Sequence, residues 1–479
     1  MDIAALFSQA AHEAARFREG AAARPHHPAR MYAGCVDAFS EPLPEGGTSG
    51  DIVIRELVEK AEPGLHAMTG PRFHGWVIGG SHPVGVAADM LTSAWGQNAG
   101  NHIATPSAAA AELIAGRWLV EMLGLPPTSS VGFVTGATMA NFTSLAAARS
   151  AVLEQAGWDS DRRGLFGAPP ISVIIGDDAH TTVFSTLQFL GLGHDRIVRV
   201  PTDEQGRMMV PAFERVIGAV EGPVIVILQA GQINTGAFDD FAAIVPMAKA
   251  KGAWVHVDGA FGLWAQVTSA HRHLTKGVEF ADSWATDGHK WLQTPYDCGY
   301  AIVRNEAVHR RAMTIAASYL PAAAEDERDP SHYVPELSRR ARGFATWAVI
   351  KHLGRDGIAN MVERNCAAAR RIAELVTRET GISVLNDVVL NQAVIRFGAH
   401  LGDDAGDTMT VETVAELQRD GRLFAGAAKW RGRQVMRLSV CNYQTDLEQA
   451  EINADAIVEA YRAVRARNSK ETGETIVAK

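Results

Sequence analysis

"SWATDGHKWLQTPYDCGYAIV", residues 283–303, sets the ionisable Lys290 between His289 and Trp291 in a run flanked by apolar and small residues. A lysine usually keeps its ammonium in water and lays its methylenes on apolar neighbours. Shielded from water, the same side chain loses hydration, and its amine becomes a nucleophile able to join a carbonyl as a Schiff base. The surrounding chain decides between the two.

Outward from that stretch, short apolar runs recur: "VGFVT" (131–135), "ISVIIG" (171–176), "RIVRV" (196–200), "VIVIL" (224–228), "AWVHVD" (253–258) and "YAIVR" (300–304). Helical patterns separate several of them. This rhythm predicts an α/β fold over residues 89–350, a mainly parallel sheet covered on both faces by helices. Residues 1–88 read as helices joined by Pro- and Gly-rich loops such as "EPLPEGGTSGD" and lack the strands of an independent core. They are expected to pack on something else, with a partner subunit the natural candidate. Residues 351–479 read as a smaller α+β domain with strands in "VLNQAVIRFG" and "QVMRLSVCN" and a final helix opened by Thr445 and Glu448 as a capping box.

The 479 residues, 47% hydrophobic and 21% charged, suffice for a large core. A net charge of -9 argues against nucleic acid or an anionic membrane as partner, which would need a basic face, and leaves small molecules as the expected ligands. Cys35, Cys298, Cys366 and Cys441 are scattered without close pairing, which fits a reducing cytoplasm and neither a disulfide framework nor a CxxC metal site. The opening "MDIAALFSQAAHEAARFREG" has no cationic region before an apolar core; Ile3, Leu6, Phe7, Ala10, Ala14 and Phe17 fall on one helical face instead. The longest apolar runs are too short to cross a bilayer. "HRH" at 271–273 has no accompanying ligand set, so it reads as a solvated loop and no metal is expected.

Ligands of open α/β sheets gather at the carboxyl ends of the strands. "AWVHVD" ends there in Asp258, either a cap for the next element or a partner for a cationic ring nitrogen. "VGFVT" runs into "GATMANFTSLAAARSAV", where Thr135, Gly136, Ala137 and Thr138 form either a packing turn or a cradle for an anion at a helix start. It is neither a Walker loop nor a dinucleotide fingerprint. "ISVIIGDD" delivers His180 to the same kind of junction, as a structural residue or as a ring stacked on a planar cofactor. Phosphate cradle, stacking ring, pyridinium partner and Schiff-base lysine, in that order, describe a pyridoxal phosphate site on the large aminotransferase-type fold.

The stretches "TPSAAAAELIAGRWLVEMLGLP", "GFVTGATMANFTSLAAAR", "DDAHTTVFSTLQFLGLG", "NTGAFDDF", "WVHVDGAFG", "DGHKWLQTPYDCGYAIVR" and "RLSVCNYQT" resemble the group II pyridoxal phosphate-dependent amino-acid decarboxylases, which include the aromatic amino-acid and glutamate decarboxylases. The resemblance implies a fold type I enzyme, homodimeric with its site at the interface, that removes carbon dioxide from an L-amino acid through a Lys290 aldimine and a quinonoid intermediate. It implies that His180 stacks on the cofactor ring, Asp258 pairs with the ring nitrogen and Ala260 packs beneath the ring. Gly136, Ala137 and Thr138 would bind the phosphate, with His289 nearby. A catalytic tyrosine on the loop after the lysine is implied as well: Tyr319 stands in the matching "YL" context, with Tyr333 as second candidate, and its loss in related enzymes is associated with oxidative aldehyde formation. "GPRFHGWVIGGSHP" resembles a segment lining the substrate pocket, which makes Trp76 and His74 candidate substrate contacts or, alternatively, packing residues of the N-terminal region.

Two positions depart from the family's pattern. Gln232 stands near the expected cofactor position where many relatives carry threonine, and Asp287 replaces an asparagine or other residue common before the lysine. Competing expectations are an oxidative aldehyde synthase, a carbon-carbon lyase for a phosphorylated amino alcohol, an aminotransferase, and a non-catalytic binding protein that keeps the fold.

Overall fold

The computed structural model describes residues 2–314 and 327–477. Two compact units form, one of Ser81–Ala367 with Asn386–Ala393, the other of Met1–Gly80 with Ala368–Leu385 and Val394–Lys479. The first eight helices are α1 (Ile3–Gly20), α2 (Tyr32–Phe39), α3 (Gly50–Ala61), α4 (Pro83–Trp95), α5 (Pro106–Met122), α6 (Ala137–Gln155), α7 (Ser160–Arg163) and α8 (Thr181–Phe189).

The larger unit is built on seven strands: β1 (Ser130–Val134), β2 (Ser172–Gly176), β3 (Ile197–Val200), β4 (Val224–Gln229), β5 (Trp254–Asp258), β6 (Ser283–Asp287) and β7 (Gly299–Val303). Their order is β1-β7-β6-β5-β4-β2-β3. From β3 to β6 neighbours run parallel, while β7 lies antiparallel between β1 and β6. The expected mainly parallel sheet is therefore present, with one reversed strand. Strands β1, β4 and β5 are buried along their whole length, which explains their mainly apolar runs. Strand β6 escapes recognition in the sequence because "SWATD" has no such run. It is nonetheless fully buried, with Trp284 Nε1 donating to the Val278 carbonyl at 2.9 Å. Helix α6, rich in Ala, Ser and Thr, comes close enough to pack against β4 to β7 because its side chains are small.

In the smaller unit β8 (Ile382–Val384), β9 (Gln392–Phe397), β10 (Gly426–Trp430) and β11 (Arg433–Ser439) form a sheet in the order β10-β11-β9-β8. The last helix, Leu447–Val477, is capped differently from expectation: Asp446 accepts the Gln449 amide at 3.0 Å, while the Thr445 hydroxyl donates to the Pro71 carbonyl at 2.6 Å. The carboxylate one residue nearer the helix takes the cap, and Thr445 ties the helix entry to the N-terminal segment. His271 of the "HRH" loop is also buried, with Nδ1 3.0 Å from the Thr268 hydroxyl, so that loop is not wholly solvated. Among the described residues no helix is long and apolar enough to cross a membrane.

Candidate active site

The strand ends converge. A cavity of about 330 Å³ in the larger unit is lined by residues that follow β1 (Thr135, Gly136, Ala137, Thr138), β2 (His180, Thr182) and β4 (Gly231, Ile233), with Asp258, Ala260 and Phe261 from the end of β5. Asp287, His289, Lys290 and Tyr296 from the β6 to β7 connection complete it. Chain reversal is what closes the site: β7 starts at Gly299, level with Val134 of β1 and Asp287 of β6. A Cβ on Gly299 would stand 2.5 Å from the Gly136 Cα, and one on Gly136 would stand 3.0 Å from His289 Cε1. Glycine at 299 lets the turn before α6 rest on the sheet, and a side chain at 136 would require His289 to shift.

Lys290 is not in purely apolar surroundings. Its Nζ lies 3.1 Å from Asp287 Oδ2 and 5.9 Å from the centre of the Phe261 ring. Trp291, fully buried, donates Nε1–H to Asn365 at 3.0 Å and fixes the chain just past the lysine. His289 accepts the Cys298 amide on Nδ1 at 3.2 Å, which leaves its proton on Nε2. Burial, the largest influence, holds its pKa below the ordinary value, and the Tyr296 ring stacks on it at 4.2 Å. His180 caps α8: its Nδ1 accepts the Thr182 amide at 3.4 Å and lies 2.7 Å from the Thr182 hydroxyl. Asp258 is buried, and loss of hydration pushes its pKa up, opposed by the nearby charges of His180 and Lys290. Its Oδ1 accepts the Ala260 amide at 3.2 Å.

This donor set suits pyridoxal 5'-phosphate. An amine is present for the aldehyde, a buried carboxylate for a protonated ring nitrogen, and a helix start with threonine hydroxyls for the phosphate. The structure thus gathers Lys290, His180, Asp258, Ala260, Gly136, Ala137, Thr138 and His289 around one cavity. Tyr319 lies outside the described residues. Tyr333 is not brought to the cavity: it is buried, donates to Glu306, and has a pKa raised to about 12, chiefly by desolvation. Gln232 turns away, its Oε1 accepting the Asn234 and Thr235 amides of its own loop. His74 and Trp76 belong to the smaller unit. His74 is fully buried and bonded to Asn453 at 2.8 Å, and Trp76, 51% exposed, lies 5.1 Å from the Phe424 ring. Tyr296 and Phe261 are lining residues that sequence spacing does not reveal, although both stand within stretches quoted for the lysine and the aspartate.

A histidine behind the site ties its two halves together. His256 of β5 donates Nε2–H to Asn141 of α6 at 2.8 Å, while its Nδ1 stands 2.8 Å from the Ser283 hydroxyl of β6. His256→Gln is expected to cost about 1–3 kcal/mol at neutral pH through an unsatisfied buried partner. Desolvation lowers the His256 pKa from 6.5 to about 3, so between these values the unfolded chain holds a proton that the native state excludes. Its contribution is full above pH 6.5 and is lost as pH falls towards 3. Denaturant melts at neutral and acid pH are expected to show the variant losing less stability on acidification than the wild type; equal losses would contradict this.

The family model described as "Pyridoxal-dependent decarboxylase conserved domain" matches residues 36–397. The aromatic-L-amino-acid decarboxylase of Bacillus atrophaeus is 27% identical over 420 residues, 86% of this chain and 85% of that one. The L-2,4-diaminobutyrate decarboxylase of Rhizobium meliloti (strain 1021) is 28% identical over 456 residues, 91% and 87% of the two chains. Among solved structures, that of Oryza sativa TDC with PLP and tryptamine matches with a TM-score of 0.89 over 96% of this chain and 98% of that one, at 22% identity. The likeness carries the fold, the type I architecture expected from the sequence.

Proposed function

Because the chain belongs to the pyridoxal-dependent decarboxylase family and is a pyridoxal 5'-phosphate-dependent carboxy-lyase of amino-acid metabolism, we propose that it removes the α-carboxyl group of an L-amino acid and releases the corresponding amine. The observation that carries this reading is the meeting of Lys290, Asp258, His180 and the start of α6 in one cavity. When bound, the cofactor supplies an aldehyde that captures the substrate amine and a ring that accepts the electron pair left by carbon dioxide. Lys290 holds the cofactor and gives way to the substrate amine. Asp258 keeps a proton on the ring nitrogen, His180 and Ala260 hold the ring plane, and Gly136, Ala137 and Thr138 with His289 hold the phosphate. Orientation then selects the reaction, since only the bond standing perpendicular to the ring overlaps its π system.

Tyr319 is assigned the proton delivered to Cα once carbon dioxide has left, a step worth about 10²–10⁴ in rate when a positioned acid performs it. Tyr319→Phe is expected to lower amine formation about 10²-fold or more while cofactor stays bound, and to divert product to aldehyde, ammonia and hydrogen peroxide. The test is product partition in air: the wild type should give amine and carbon dioxide in equal amounts without peroxide. Peroxide from the wild type would support the oxidative aldehyde synthase instead.

A homodimer with its site at the interface belongs to the same reading. No residue of α1, α2 or α3 is buried, and Phe7, Tyr32, Phe39 and Leu57 are exposed on them. Large exposed side chains gathered on consecutive helices suit a second copy of the chain, with residues 1–88 as the docking segment, 89–350 as the cofactor domain and 351–479 as the small domain. Trp76, half exposed, suits substrate contact, while the burial of His74 favours packing. The buried thiols of Cys298, Cys366 and Cys441 support a reducing, cytoplasmic setting.

A further inference from the structure

Asp287 ends β6, three positions before Lys290, and is 2% exposed. Its Oδ1 accepts the Ala137 amide at 2.6 Å and stands 3.5 Å from His289 Nε2, the nitrogen that carries the proton. Its Oδ2 lies 3.1 Å from Lys290 Nζ. The carboxylate thus draws on the first amide of α6, an imidazole N–H and an ammonium, the kinds of donor a phosphate monoester seeks at a helix start. A cofactor phosphate held at the start of α6 would meet Asp287 at the Ala137 amide and the His289 N–H.

Charge sharpens the conflict. Among the described residues, two carboxylates, Asp258 and Asp287, line the cavity against one ammonium, that of Lys290, and no arginine does. Burial opposes a charge on His289, and Asp297, which acts on that ring, is itself paired with Arg342, Nε to Oδ1 at 2.8 Å. The Tyr300 phenol, facing Asp287 from β7, is held neutral by desolvation. Strand β7 therefore supplies no cation, and the connection before it brings Lys290 and the buried His289. Burial of His289 leaves Lys290 as the ammonium set against Asp258 and Asp287 before a phosphate of about -1.5 to -2 arrives. A proton on Asp287 relieves the repulsion and turns the group from an acceptor into an O–H donor able to make a short bond to a phosphate oxygen.

We propose that Asp287 takes up a proton from solvent as the cofactor's phosphate binds, so that cofactor capture is linked to proton uptake and weakens as pH rises. This rests on the pyridoxal 5'-phosphate reading above. An asparagine in the same place presents a permanent N–H donor and removes the linkage.

The test is calorimetric titration of the cofactor-free chain at about pH 8 in two buffers of different ionisation enthalpy, with pyridoxal 5'-phosphate and with phosphate-free pyridoxal. Imine formation at Lys290 is common to both ligands and cancels in the comparison. The wild type is expected to take up between about half a proton and one proton more with the phosphorylated ligand. Asp287→Asn is expected to lose that excess, bind pyridoxal 5'-phosphate about tenfold tighter or more, and leave pyridoxal within about twofold. Equal uptake for the two ligands in the wild type, which needs no variant to fold, would overturn the proposal. So would an excess retained in Asp287→Asn, or weaker cofactor binding by it. A wild-type chain that binds no pyridoxal 5'-phosphate at all would overturn the underlying reading as well, whereas binding without excess proton uptake overturns this inference alone.

Discussion

Lys290→Ala is expected to lower carbon dioxide release by about 10³-fold or more and to remove the visible absorption of the lysine-linked cofactor. The size of the effect follows from the two tasks proposed for the lysine. In the proposed role it would hold the cofactor's aldehyde in activated form and position the cofactor for exchange with the substrate amine; among the described residues no other amine lines the cavity. Trp291 and its bond to Asn365 anchor the segment independently of this side chain. A variant that melts like the wild type yet retains substantial carbon dioxide release would remove Lys290 from its assigned role.

The second large effect is expected at Asp258. Burial makes its negative charge costly, as the upward pKa shift records, and a cationic N–H of the cofactor ring would compensate that cost. Asn keeps the shape and loses the charge, so the ring nitrogen would lose its proton and the ring its ability to accept electrons. Asp258→Asn is expected to lower kcat about 10²-fold or more with a much smaller change in KM, and to shift the cofactor's absorption while cofactor remains bound. Unchanged kcat, or loss explained wholly by lost cofactor, would contradict the role.

Much of the site is legible in the sequence because its residues sit where apolar runs end. Strands β1, β2 and β5 announce themselves through mainly hydrophobic stretches, and Gly136, His180 and Asp258 follow at or just past their ends. What is not legible depends on contacts between distant parts of the chain. Asp287 stands out as a departure from the family's pattern, yet its bond to Ala137 joins positions 150 residues apart, and no local spacing encodes it. Strand β6 is hidden by a composition of Ser, Trp, Ala, Thr and Asp that is buried only because partners satisfy it. Tyr296 reaches the cavity by stacking on His289 across the turn before β7. The cap of the last helix shifts by one residue because the Thr445 hydroxyl finds a carbonyl far away in sequence.

The measurement that tests the central claim most directly is carbon dioxide release from carboxyl-labelled L-amino acids, offered as a panel of aromatic, acidic and aliphatic members to the cofactor-loaded chain, with Lys290→Ala as the blank. At least one L-amino acid is expected to lose labelled carbon dioxide in a Lys290-dependent manner with amine appearing in equal amount. Cofactor bound through Lys290 without label release from any member of the panel would contradict the assignment of amino-acid decarboxylation.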